Sequence, residues 1–466
     1  MVTKLTSLRF IDKLYIGIIL FVFGGIVLHA PATVWLGSIM PDLAEPIKAW
    51  KEMLILVALA ISIYLMVERK RLGLLRKPII AIMVGYGLLH LLYAMFSGLS
   101  FATVVAGQMI DLRYIAFFLI VFLASELYPS LRRTMLKVGL AGALVVFGFA
   151  ILQVFVLPVD ILSNIGYGRD TIVPYLTVDQ NADYIRINST LRGPNPLGAY
   201  AVVFLALMGS WLAMKRPKLT RKQTGLLTIL ILGAMVALWF SYSRSALLAF
   251  FVAFGLLTVF IYRSLITKKI AIGGISTLVA LGVIFSVIFS GSTFVSNVFL
   301  HDNPADSSSV NSNEGHIESL NDGWSRMTEQ PFGLGVGTTG SPSLGGDKPL
   351  IVENQYLYIA HETGWLGLVV FCALYVMLMR GLWRRRQDWL SLGLFFSGIG
   401  LAIIGLLLPV WVDDTVSIVW WGLAGIAIGS WKVANGEFLI ANSHIPIASD
   451  KIGVEYKHRM SKKHGN

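Results

Sequence analysis

A single cysteine, Cys372, stands among the 466 residues, inside an apolar run, so disulfides and thiolate metal sites are excluded. Charge is scarce as well: 14% of residues are Asp, Glu, Lys or Arg, against roughly 25% in soluble domains. No segment repeats at a short fixed period, and none has the composition of a soluble domain. The N-terminus lacks a secretory cleavage pattern, so residues 14–30 read as a first span rather than a removed signal. In place of these features there is apolar chain, with 56% hydrophobic residues and a mean hydropathy of +0.72.

Apolar runs of about 20 residues, enough to cross roughly 30 Å of hydrocarbon, recur along the chain. Twelve spans are expected, at 14–30, 52–67, 79–97, 112–127, 136–158, 196–214, 224–240, 244–262, 270–291, 355–379, 389–410 and 416–432. Residues 98–111 either belong to the fourth span or lie along the membrane surface. The fold class is therefore all-α, a polytopic transmembrane bundle. The short turns at 68–77, 131–137, 215–222, 263–269 and 380–388, with both chain ends, hold 29 of the 38 Lys and Arg. The alternate connections hold the other 9 together with 19 of the 26 Asp and Glu. By the positive-inside rule both termini are cytoplasmic and the acidic connections face out, which predicts a multi-pass protein of the cytoplasmic (inner) membrane. The formal net charge of +12 thus reports topology. A nucleic-acid partner would require basic residues gathered on one folded surface, and none is expected.

The connections are uneven. Those on the basic side are 7–10 residues long, whereas two on the acidic side, 159–195 and 292–354, are long. Three regions follow: membrane helices over 1–158, a region over 159–432 that contains the large 292–354 connection between spans 9 and 10, and a basic tail over 433–466. Within 292–354 a loose polar stretch (DNPADSSSVNSNEG) precedes HIESLNDGWSRMTEQ. There Ile317, Leu320, Trp324 and Met327 recur at helical spacing, predicting an amphipathic helix that ends at Pro331 and lies on the membrane or closes over a site. The following PFGLGVGTTG segment has the glycines for tight turns and close approach to a ligand.

A few charged residues are kept at the edges of the spans, where an ionisable group is costly unless it pairs, meets water or binds a charged ligand. In RINSTLRGPNPLG, Pro196 suits the first position of a helix with Asn195 as its N-cap. Its N-terminal N–H groups favour an anion, and Arg192 or Arg186 adds a guanidinium fork for phosphate; the alternative is a capped helix with an arginine snorkelling to water. In SYSRSALL, Arg244 falls in the first turn of another helix with Ser241 or Ser243 as cap, serving either an anion or the interface. Glu353 and Asn354 open the tenth span, where a carboxylate is held ionised, as suits a general base, or simply caps the helix. His361 reads as a buried, hydrogen-bonded residue, and His316 as a second acid–base group or a solvated side chain. Asp111 and Arg113 start the fourth span and pair with each other or with neighbours. Asp413 and Asp414 start the twelfth, where capping is favoured over a divalent ion because adjacent carboxylates point apart.

The order RINSTLRGPNPLG, SYSRSALL, PFGLGVG and ENQYLYIAHETGWLG, with the span count, resembles the O-antigen ligase and polymerase family (Wzy/WaaL-type membrane proteins) over roughly 186–379. The resemblance implies a metal-independent, inverting glycosyltransferase of the GT-C type, without cofactor. Such an enzyme takes a glycan from a polyprenyl-diphosphate carrier at the outer face of the membrane and passes it to a glycan, lipid or protein acceptor. The family's arginines map to Arg186 or Arg192 and to Arg244, which would hold the diphosphate, and Glu353 would act as base. Arg186, Asn195, Ser243, Asn354, His316 and Arg113 would contact substrate. Ligases commonly carry His-Asn where this chain has Glu353-Asn354, a departure from the ligase pattern specifically. The rival class is a polytopic transporter or lipid-linked glycan flippase, which predicts two matching halves; a non-catalytic assembly subunit predicts that the charged positions tolerate substitution.

Overall fold

A computed structural model describes residues 8–178, 181–265, 312–345 and 349–429. The elements in chain order are α1 (Phe10–Gly25), α2 (His29–Ile39), α3 (Ala44–Lys48), α4 (Trp50–Glu68), α5 (Pro78–Phe96), α6 (Phe101–Leu127), α7 (Leu131–Phe155), β1 (Leu176–Val178), β2 (Asn181–Arg186), α8 (Pro194–Lys215), α9 (Arg221–Phe240), α10 (Arg244–Tyr262), α11 (Ser312–Glu329), α12 (Gln355–Arg384), α13 (Trp389–Gly405) and α14 (Asp414–Gly429). Among the described residues nine helices are long and apolar enough to cross a membrane, the first running continuously over Phe10–Ile39; α13 and α14 are shorter apolar helices. These eleven match eleven of the expected spans, and the ninth, 270–291, lies outside the described residues, as does the 433–466 tail. Large apolar side chains such as Phe96, Phe251 and Val369 point outward, as a hydrocarbon solvent requires.

Local sequence sets several helix starts. Pro78 occupies the first turn of α5, and Ser100 caps α6 by accepting the Thr103 N–H. Thr220 and Gln223 form a reciprocal capping box at α9. Asp388 caps α13 through the Ser391 N–H. Helix α14 is buried along its whole length, which fits its lack of a polar face. Gly425 lets it lie directly on α6: a Cβ there would stand 2.9 Å from the Phe118 carbonyl oxygen. Trp411, Trp420, Trp421, Tyr114 and Tyr375 fill the space beside this contact as one aromatic cluster.

Two expectations change. Helix α6 begins at Phe101, so residues 101–111 belong to the fourth span, and Asp111 and Arg113 sit well inside it rather than at its start. Gln108, Asp111 and Arg113 depress the local hydropathy, and partners distant in sequence make their burial tolerable. The 159–195 connection carries a small antiparallel hairpin, β1–β2, with a register irregularity at Thr177/Val178; the turn-forming residues between LTV and YIR are its sequence signal.

Helix α12 is broken at Gly364, which adopts φ 64°, ψ −169°, a region open essentially only to glycine. The break frees backbone groups inside the bundle, and the glycine-rich segment satisfies them. Leu334 N–H donates to the His361 carbonyl at 2.8 Å, Gly335 N–H to the Glu362 carbonyl at 3.0 Å, and Trp365 N–H to the Pro331 carbonyl at 3.0 Å. The glycines of PFGLGVG therefore bring this loop against the protein's own helix, where a ligand had been expected. A Cβ at position 364 would collide with the Pro331 carbonyl oxygen. Gly364→Ala is accordingly predicted to destabilise the protein by about 3 kcal/mol or more, the upper end for a strained backbone site plus the collision. A thermal midpoint of the detergent-solubilised variant equal to wild type would refute this.

Candidate functional site at the N-terminal ends of four helices

The segment leading into α8 is held from several directions. Ser189 is buried at positive φ; its N–H donates to Gln153 Oε1 at 2.9 Å and its hydroxyl to the Val146 carbonyl at 2.7 Å. Ile187 N–H donates to the Phe240 carbonyl at 3.1 Å, which anchors the end of β2 to the end of α9. Helix α8 starts two residues earlier than expected: Gly193 is the N-cap and Pro194, not Pro196, the first helical residue. Asn195 is therefore no cap. Its Oδ1 accepts from Arg186 Nη2 at 2.7 Å, while Arg186 Nε donates to the Ser241 carbonyl at 2.9 Å. Arg186 thus ties the start of α8 to the turn before α10. Arg192 remains exposed at the mouth of α8.

That turn places Arg244 as expected, as the first residue of α10 and half-buried. Tyr242 turns the chain at φ 44°. Ser243 takes the N-cap position without a side-chain bond to the helix; its hydroxyl lies 3.1 Å from that of Ser245, and the Ser241 hydroxyl donates to the Leu238 carbonyl at 2.7 Å. Neither serine caps α10 through its side chain. The starts of α8 and α10 pack tightly, since a Cβ at Gly198 would stand 2.7 Å from that of Ala246 and 2.9 Å from Ser241 Oγ.

Asn354 caps α12, accepting the N–H groups of Tyr356 at 2.9 Å and Leu357 at 3.0 Å, and donating to the Leu406 carbonyl at 2.8 Å. The capping role thus belongs to Asn354, and Glu353 stands just before the cap, half-buried. Leu406 ends α13, whose other end meets the C-terminal part of α8 through the Ser210 hydroxyl and the Trp389 carbonyl. The starts of α8, α10 and α12 therefore share one end of the bundle. Helix α14 starts there too: Trp411 N–H donates to Gln355 Oε1 at 2.8 Å, and the charge of Arg192 reaches Asp413. Helix α11 runs beside this end, longer at its start than expected, with Gly323 against Leu357 and Trp324 edge-on to Trp365. His316 lies on α11 with its side chain outside the described part of the structure.

The sequence singled out several members of two groups of buried charges but not their distant partners. Arg113 contacts Asp414 and the Val412 carbonyl and lies 3.4 Å from Glu52; Lys51 lies 3.1 Å from Glu52 and 3.2 Å from Asp414; His29 lies 3.0 Å from Asp414. Arg113 is 5% exposed, with its two terminal nitrogens on protein acceptors. The expected capping by Asp413 is present, its Oδ1 accepting the Val416 N–H at 2.8 Å. The second group joins Asp111 to Glu362, whose side chains interact directly beside Tyr358. Glu362 Oε1 accepts the Gly337 N–H at 3.0 Å, fastening the glycine-rich loop. His361 is buried as expected, but among the described residues neither ring nitrogen has a hydrogen-bond partner. The sequence signal was present in each acid and base inside an apolar run; the pairings were not. Among the described residues no three His, Cys, Asp or Glu side chains are placed to hold a metal.

Burial, reinforced by the charge of Asp414, pushes the Asp413 carboxyl up to about 6, against the Val416 N–H and the charges of Arg113 and Arg192. A raised carboxyl value means that the folded state favours the protonated form. Its contribution to stability is full below the ordinary value of 3.8 and is lost as pH rises through about 6. Asp413→Asn, which keeps a cap acceptor, is expected to flatten that part of the stability–pH curve by at most about 3 kcal/mol. Parallel wild-type and variant melting curves between pH 4 and 6.5 would remove Asp413 as its source.

Fold and site define a polytopic all-α membrane protein with a polar centre at one end of its bundle. Residues 226–372 match the family model described as O-antigen ligase (Wzy_C), and over that stretch the chain is similar to the O-antigen ligase/polymerase family. The match covers most of α9, then α10, α11, the glycine-rich loop and the first half of α12, with Arg244, Glu353 and Asn354 among its residues. It supports a role in surface polysaccharide assembly with a glycosyltransferase-like activity. No curated protein gives a significant match to the chain.

Proposed function

We propose that this protein transfers a glycan from a polyprenyl-diphosphate carrier to an acceptor hydroxyl at the outer face of the cytoplasmic membrane. The observation that carries the reading is the gathering of four helix N-termini at one end of the bundle, with Arg192, Arg244 and Glu353 on the segments that start them. Helix N-termini and guanidinium forks both favour a diphosphate, and the charge distribution of the turns supports putting this end outside. Arg192 and Arg244 clamp the carrier diphosphate and stabilise the charge that grows as it leaves. Glu353 takes the proton of the acceptor hydroxyl. That oxygen bonds to the anomeric carbon from the face opposite the leaving group, the carbon–oxygen bond to phosphate breaks, and the polyprenyl diphosphate departs with the electron pair. The configuration inverts, and the arginines carry the charge that a metal would otherwise neutralise.

Arg186 takes a positioning part in this reading, because its bonds to Ser241 and Asn195 set the spacing of the two arginine-bearing helix starts. Asn354 orients Glu353 through the cap, Ser243 shapes the turn under Arg244, and Arg113 supports α14 from inside. Helix α11 and the glycine-rich loop flank the site and shield it from water. The test is transfer by the purified protein from a lipid-diphosphate glycan to an added acceptor. Release of polyprenyl diphosphate with formation of an inverted linkage is expected; movement of intact lipid-linked glycan across vesicles, without bond cleavage, would favour a flippase.

A further inference from the structure

At the opposite end of the bundle lies an apolar cavity of about 850 Å³ between α7, α8 and α9. Phe204, Leu207 and Trp211 form much of its wall, and its rim carries Arg133 and Lys137 from the start of α7 and Lys215 from the end of α8. The rim side chains of Arg133, Lys137 and Lys215 are exposed, and Arg132 beside them pairs with Asp388 at 2.6 Å. The starts of α7 and α9 face the same rim, adding helix N-termini to the basic side chains. Helix α8 has 22 residues, which at 1.5 Å each separates this rim from the Arg192 end by about 33 Å, close to the thickness of a bilayer.

We infer that this cavity binds an anionic glycerophospholipid of the leaflet on the basic side of the membrane. Its walls are mainly apolar, with Tyr200, Gln223 and Asp388 among the few polar exceptions, and suit acyl chains, while the cationic rim suits a phosphate headgroup. A carrier whose diphosphate sits at the other end would not bring its charge here. The lipid would fill the space between α7 and α8, behind the helix whose start carries Arg192.

The full chain reconstituted in vesicles of equal parts phosphatidylglycerol and phosphatidylethanolamine, then extracted gently for native mass spectrometry, is expected to retain phosphatidylglycerol above the bulk ratio. The triple variant R133Q/K137Q/K215Q alters exposed side chains only and is expected to lose that excess by about tenfold or more. Retention at the bulk ratio, or an unchanged excess in the triple variant, would overturn the inference. A second measurement places the chains: phosphatidylglycerol with brominated acyl chains should quench the emission that Trp211→Phe removes. Absence of quenching dependent on Trp211 puts the lipid elsewhere and rejects the site. Preferential retention of added polyprenyl phosphate over phosphatidylglycerol would reject the assigned ligand class.

Discussion

Arg244→Ala is expected to lower kcat/KM for glycan transfer by about a hundredfold to a thousandfold, the cost of removing one preorganised donor from developing charge. The placement of this residue motivates the size. Arg244 is the first residue of α10, on a turn fixed by Tyr242 and packed at Gly198 against the start of α8. A backbone held this firmly limits the reorganisation needed to present the side chain during reaction. The loss should fall mainly on kcat if the guanidinium stabilises the leaving diphosphate, and on KM if it only captures the carrier. Arg244→Lys keeps the charge without the planar fork, so partial recovery is expected. Near-normal turnover of the alanine variant at equal folding and expression would remove Arg244 from the mechanism.

Glu353→Gln should reduce kcat by about a hundredfold to ten-thousandfold, the usual contribution of a general base. Donor affinity should change little, because glutamine conserves the shape of the side chain. Glu353 precedes the cap, and the two N–H groups at the start of α12 are accepted by Asn354, so the helix start survives the substitution. Purified variant and wild type are compared for transfer and for thermal midpoint. Undiminished transfer excludes Glu353 as base. Loss of transfer together with a large loss of stability would instead assign Glu353 to structure. The absence of histidine here makes this the most informative position for separating this chain from the usual ligase pattern.

The chemistry at the helix starts was legible to different degrees. At α10 the start was readable because a short connection between two apolar runs leaves little freedom, and at α12 because a capping asparagine directly precedes the apolar run. At α8 the reading slipped by two residues. Both prolines fit a first turn, and only the approach of Arg186 from β2 shows that Asn195 is engaged as its acceptor. The glycine-rich loop was recognised for close approach, but its partner was not a local one. It meets a helix break some thirty residues further along, at Gly364, and Glu362 beside it.

By itself the sequence determined the membrane class, the place of most spans and the arginines at helix starts, and from the charge of its turns an expected orientation. These rest on local properties: the length of an apolar run, a capping residue, the charge of a turn. Tertiary structure alone decided which charges are engaged within the bundle. Arg113 meets Glu52 and Asp414, and Asp111 meets Glu362, each pair brought together from far apart in the chain. Burial of such groups is tolerable only once their partners arrive, so their place follows from packing rather than from the residues beside them.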